Sequence, residues 1–163
     1  MPESKNAVKT KVLRWLDQEN RPTMKVRDPV AELNVSVAIN SESVNVIFNP
    51  DKRDSLLLGV QVSFSSLDKQ AFTRLQQDKK NAFIDELVYS LIYINVEFVI
   101  IPNLYNMEAV RMSKNIYFDA LTKDKLFDSI LLMKRAVELV RWCYNKHLSP
   151  PRRADPLLSA FLL

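Results

Sequence analysis

The stretch that decides the fold is ELNVSVAINSESVNVIF, residues 32–48. Leu33, Val35, Val37 and Ile39 take every second position, with Glu32, Asn34 and Ser36 among the residues facing the other way. A period of two is that of a strand with one face in a core and the other toward water. After the polar turn NSES (40–43), Val44, Val46 and Phe48 resume the alternation. A link this short joins antiparallel neighbours.

The pattern continues outward. NPDKRDS (49–55) reads as a polar loop, and Leu56, Leu58, Val60, Val62 and Phe64 then alternate with Leu57, Gly59, Gln61 and Ser63. The three strands form a meander with one buried face. Upstream, TMKVRD (23–28) reads as a short strand that Pro29 bends or confines to an edge. Before it, Val8, Val12, Trp15 and Leu16 make one helical stripe, with Lys9, Lys11, Arg14 and Asp17 outside it and Pro22 as a stop.

At Ser65 the period changes. Ser65 and Asp68 suit a capping pair, and Phe72, Leu75, Phe83, Leu87, Leu91 and Ile94 follow at helical spacing. With no Pro or Gly inside, the run predicts one long helix, with QQDKKN (76–81) as the place for a kink or overhang. VEFVIIP (96–102) and MEAVRMSKNIYF (107–118) predict two strands around a turn at PNLYN. Thr122 opens a final helix to about His147, with Leu126, Phe127, Ile130, Met133, Val137, Val140 and Tyr144 as its apolar stripe. The prediction is an α+β fold, an antiparallel sheet packed with helices in the order α-β-β-β(-β)-α-β-β-α. Residues 1–149 form the single domain, and 150–163 a Pro/Arg spacer with an apolar C-terminal tail.

Composition narrows the function classes. The 163 residues are 47% hydrophobic and 26% charged, a globular composition. Net charge is +4, from 23 basic and 19 acidic side chains, too little for a dedicated nucleic-acid binder without a concentrated patch. Gly59 is the only glycine, which argues against left-handed turns and against phosphate-cradling loops. Cys143 stands alone, so no intrachain disulfide forms and a reducing, cytoplasmic setting is expected. MPESKNAVKTK (1–11) lacks the apolar centre of a secretory signal, and no run approaches the roughly 20 residues of a membrane span.

The element order, with the opening helix VLRWLDQEN (12–20) and the junction YFDALTKDKLFDSI (117–130), resembles the type III secretion chaperone-like superfamily. That group takes in bacterial YbjN-like proteins and archaeal families of unknown function. The resemblance covers about Ala7 to His147. It implies a non-enzymatic homodimer that binds extended segments of partner proteins on its sheet and helices. The chain departs from the pattern in the bent strand near Pro29 and in the apolar tail after Pro151.

Chemistry-bearing constellations are few. Cys143 and His147 share a helix face at i,i+4, but two ligands do not make a zinc site. A packed cysteine beside Leu139 and a histidine near a helix C-terminus is the reading preferred over a thiolate–imidazolium pair. Asp85 and Glu86 splay about a hundred degrees apart on a helix, and Glu108 and Arg111 fall on opposite faces of a strand. No catalytic residue, cofactor or metal is predicted. Basic residues gather at Lys79–Lys80, Lys134–Arg135, Arg141, Lys146 and Arg152–Arg153, interspersed with Asp78, Asp85, Asp128 and Glu138, and Glu138 is placed to pair with Lys134 and Arg141. Nucleic-acid binding through these helix faces is therefore the alternative and not the first reading. Trp15, Phe72, Phe83, Phe98, Phe118 and Phe127 read as packing.

Two features point to association. The tail SPPRRADPLLSAFLL (149–163) opens a short helix at Asp155 and Pro156, stacking Leu157 on Phe161 and Leu158 on Leu162. Burying those side chains gains about 10 kcal/mol, roughly what ordering the segment costs, so it needs a groove. It either caps its own sheet, crosses to a second copy, or is a motif for another protein. LLLGV (56–60) and VEFVII (96–101) are apolar on both faces, so helices cover both sides of the sheet or a partner covers one. The expected function is a protein-interaction module, homodimeric, using Leu157, Leu158, Phe161 and Leu162.

Overall fold

The computed structural model describes residues 4–148. The tail residues Leu157, Leu158, Phe161 and Leu162, and the spacer before them, lie outside the described residues. Helix α1 (Lys5–Gln18) is followed by β1 (Thr23–Lys25), β2 (Leu33–Ile39), β3 (Glu42–Phe48) and β4 (Ser55–Ser63). Then come α2 (Ser66–Arg74), α3 (Gln77–Tyr93), β5 (Glu97–Ile101), β6 (Ala109–Tyr117), a 3-10 turn at Phe118–Ala120 and α4 (Lys123–Leu148). The architecture is the expected α+β one, and its strands form a six-stranded antiparallel sheet in the order β1-β2-β3-β4-β6-β5.

The alternation read from the sequence sets the register. Val37 lies opposite Val44, Val46 opposite Leu58, and Val60 opposite Met112, so the apolar positions of successive strands share one face. Those residues form one core with Val8, Val12 and Leu16 of α1, Phe83, Leu87 and Leu91 of α3, and Leu126, Ile130, Met133, Val137 and Val140 of α4. Among the described residues the helices thus serve one face of the sheet. On the other, Ile47 and Leu57 are half-buried, with the Ile47 Cδ1 passing 3.7 Å from where a Cβ would stand at Gly59. The second helical cover offered as one explanation of LLLGV and VEFVII is absent from the described residues.

Two expectations need correction. The single long helix after Ser65 is two helices. Leu75 and Gln76 take extended backbone, with ψ of 145° and 151°, between α2 and α3. A straight helix would separate Phe72 from Phe83 by about 16 Å along its axis. The break folds them together at 5.8 Å between ring centroids, and Lys80 Nζ donates to the exposed Thr73 carbonyl at 3.0 Å. Burial of two aromatic rings outweighs the continuity of one helix. Secondly, left-handed turns do occur without glycine: Asn20, Asn40 and Asn95 have φ of 49°, 57° and 57°. Asparagine tolerates this region at modest cost, and the three close α1, the β2–β3 hairpin and α3.

Candidate functional site

Among the described residues β5 has a strand neighbour on one side only, β6. Which of its backbone groups point outward follows from the ladder. Phe64 N–H donates to the Glu108 carbonyl at 2.9 Å, one step beyond the pairing of Val62 with Val110. Even-numbered residues of β6 therefore turn their backbone groups to β4, and Ala109, Arg111 and Ser113 turn theirs to β5. Their partners Ile101, Val99 and Glu97 bond inward. The N–H and C=O groups of Phe98 and Ile100 are left facing the open edge.

The side chains of Phe98 and Ile100 point to the helix-covered face, where the roof is incomplete. With Val88 of α3 and Asn103, Leu104 and Tyr105 of the β5–β6 loop they line an open groove of about 460 Å³. The loop is braced: Asn103 Oδ1 accepts from the N–H groups of Tyr105 and Asn106, each at 3.0 Å, directly after a cis Ile101–Pro102 peptide. α4 flanks α3 on the side of Glu86, which meets Lys146 and His147. Val88 and Ile92, one turn apart, lie on the opposite flank. Ile92 is 59% exposed, Val99 60% and Tyr105 65%. The result is an unpaired strand edge beside an apolar trough, bearing Glu97 as its only charge.

The profile of a family described as an uncharacterized conserved protein (DUF2299) matches residues 8–143. The chain belongs to that family. It is also similar to a solved structure, that of an uncharacterized protein from Methanothermobacter thermautotrophicus, at 25% identity and a TM-score of 0.78. The match covers 85% of this chain and 97% of that one. None of the curated proteins matches the chain. The structural neighbour shares the fold.

The residues weighed earlier for chemistry are placed as follows. Cys143 is fully buried, and burial, with Glu86 nearby, pushes its thiol up. His147 does not pair with it: Nε2 lies 2.5 Å from Glu86 Oε2 and the ring packs edge-on against Phe83. Lys146 donates to the same carboxylate at 2.7 Å and, ahead of His147, holds Glu86 below the usual range. Asp85 is exposed on the helix surface. Glu108 meets Lys69 at 3.5 Å, whereas Arg111 donates to Gln61 on the outer face at 3.1 Å. Lys134 pairs with Glu138 at 3.2 Å, but Arg141 turns to Glu42 instead of Glu138. Tyr144, pushed up to about 12 by burial and by its bond to Asp68, ties α4 to the start of α2. Among the described residues no group of three His, Cys, Asp or Glu is placed to hold a metal, and no helix is long and apolar enough to cross a membrane.

Phe98 is the residue whose role sequence reasoning missed. Its alternation assigned it to packing, which holds, since it is half-buried against the core. Its position on the outermost strand also makes it the floor of the groove. The available signal was VEFVII itself, apolar on both faces with a single charge.

Proposed function

We propose that the protein is a non-enzymatic protein-interaction module that takes an extended apolar segment along β5. One observation carries the reading: the Phe98 and Ile100 backbone groups face an open edge immediately beside an apolar groove. A strand laid there completes the ladder through main-chain hydrogen bonds. Every second side chain then drops toward Val88, Phe98 and Ile100, which supplies selectivity. The chaperone-like element order supports the same reading, since that group is built to hold extended partner segments. A cytoplasmic setting accords with a lone cysteine kept as a buried thiol.

The nucleic-acid alternative draws less support. Lys134, Arg141 and Lys146 of α4 are engaged by Glu138, Glu42 and Glu86. Lys146 also lies 5.0 Å from the centre of the Trp142 ring, which occupies the aromatic that a stacking base would use.

The test is a titration of isotope-labelled protein with short peptides of alternating Val and Thr. Amide shifts are expected at 97–105 and along 84–92, with none in β1. Peptides that move neither segment when added to monomeric protein, or that move β1 equally, overturn the proposal.

A further inference from the structure

We propose that the occupant of this edge is β5 of a second copy. The two strands run antiparallel about a two-fold axis that passes midway between the Val99 residues of the two copies and perpendicular to the sheet, so that two six-stranded sheets continue as one. The inference rests on the interaction reading above and names its partner.

The register follows from the free backbone groups. Centred on Val99, the pairing sets Phe98 against Ile100 of the second copy and Ile100 against its Phe98. These are the residues whose N–H and C=O groups face outward, so both pairs are fully bonded. Centring on Ile100 would set Phe98 against Pro102, which has no N–H to give. Centring on Phe98 would set Ile100 against Val96, whose N–H is already donated to the Leu91 carbonyl at 3.5 Å. Of the three, the Val99 register alone pairs both Phe98 and Ile100 with residues that have a free N–H, and it leaves Val96 and Pro102 beyond the ends of the paired stretch. It also sets Glu97 against Ile101 of the second copy, so no like charges meet.

The faces match as well. A perpendicular two-fold keeps the helices of both copies on the same side. Phe98 and Ile100 of each copy then close the other's groove, and the flanks carrying Val88 and Ile92 lie side by side above the joined strands. A five-residue strand alone buries too little, because a stable interface takes about 800 Å² from each partner. Ile92, Leu104 and Tyr105, all exposed beside the edge, add apolar surface to it.

The experiment is sedimentation equilibrium on the full chain, wild type, Val99→Lys and Val99→Glu, followed by a mixture of the two variants. Val99 is mostly exposed, so both variants keep the fold, which circular dichroism verifies. The wild type is expected at twice the chain mass. In each variant like charges stand about 5 Å apart across the axis, and association weakens by about a hundredfold or more. Mixed, Lys faces Glu and the dimer returns. A wild type that stays monomeric at roughly 0.1 mM overturns the second-copy assignment. Variants that remain dimeric, or a mixture that remains monomeric, also overturn it. A monomer whose β5 amides still move with the alternating peptide would remove the second copy and leave the interaction reading intact.

Discussion

At one margin of the sheet β1 offers three residues, Thr23, Met24 and Lys25, all exposed, between Pro22 and a basic stretch that runs into Pro29. At the other, β5 offers five, EFVII, with one charge and no proline among them, beside a groove. Shortness, lysine and proline are the devices by which sheets discourage further pairing. β1 uses all three. The loop after it adds more, since Val26 N–H donates to the Asn34 carbonyl at 2.9 Å and Asp28 receives the Asn34 side chain at 3.0 Å. The difference teaches that the chain closes one edge with its own residues and leaves the other ready for a strand it does not supply among the described residues.

The strongest way to break that comparison is to remove the roof over β5. Leu87 is fully buried on α3, and Leu87→Ala is expected to cost about 2–5 kcal/mol, read as a fall in the denaturation midpoint. Peptide response at 97–101 should fall with it, because the groove loses its helical wall, while the β1 ladder keeps its register. A cost below about 1 kcal/mol would mean that α3 is not what holds the groove in shape.

How much of this contrast the sequence carried depends on which interaction decides each element. The meander was legible in Leu33–Ile39, Val44–Phe48 and Leu56–Val62 because a period of two acts residue by residue. The polar run QQDKKN marked the place of the break at Leu75–Gln76 as a kink, but not the full split into two helices, which answers to a contact between Phe72 and Phe83. Asparagine in place of glycine at Asn20, Asn40 and Asn95 was legible only in hindsight. The edge itself was hidden by topology: β6 pairs with β4 and pushes β5 outermost, an order fixed by tertiary packing. The apolar character of both faces of VEFVII was visible, and it pointed to association. The tail residues Leu157, Leu158, Phe161 and Leu162 drew more attention, and they lie outside the described residues.

Acid sharpens the comparison next. The carboxyl of Asp28 is held below its usual range first by the Val30 N–H and then by the Asn34 side chain, and that of Glu32 by Lys5 and Lys9. A carboxylate depressed in the folded state contributes stability that is in place above its unfolded value, about 4, and is lost as pH falls through the folded one. Lowering pH from 6 through the ordinary carboxylate range and below it is therefore expected to cost the 26–34 segment on the β1 side its amide hydrogen-exchange protection. Asp68 and Glu86 shift in the same sense, but they tie α2 and α3 to α4 and make no bond to β5. Equal loss of amide hydrogen-exchange protection at 99–101, away from the Glu97 carboxylate, over the same pH range would show that the two edges are not independently secured.

The smallest expected effect is the most discriminating control. Met24 is 67% exposed and sits on the outer face of β1, as Val99 does on β5. Met24→Lys adds the same charge at the opposite margin of the same sheet. Because β1 is already flanked by Lys25 and Arg27 and by prolines, it has no pairing to lose, and stability should stay within about 0.5 kcal/mol with the molecular mass unchanged. Val99→Lys should match it in monomer stability while differing in mass. If Met24→Lys also halves the mass, charge repulsion between whole molecules and not strand pairing governs association. The asymmetry between the edges would then be one of appearance, since both would answer to net charge alone.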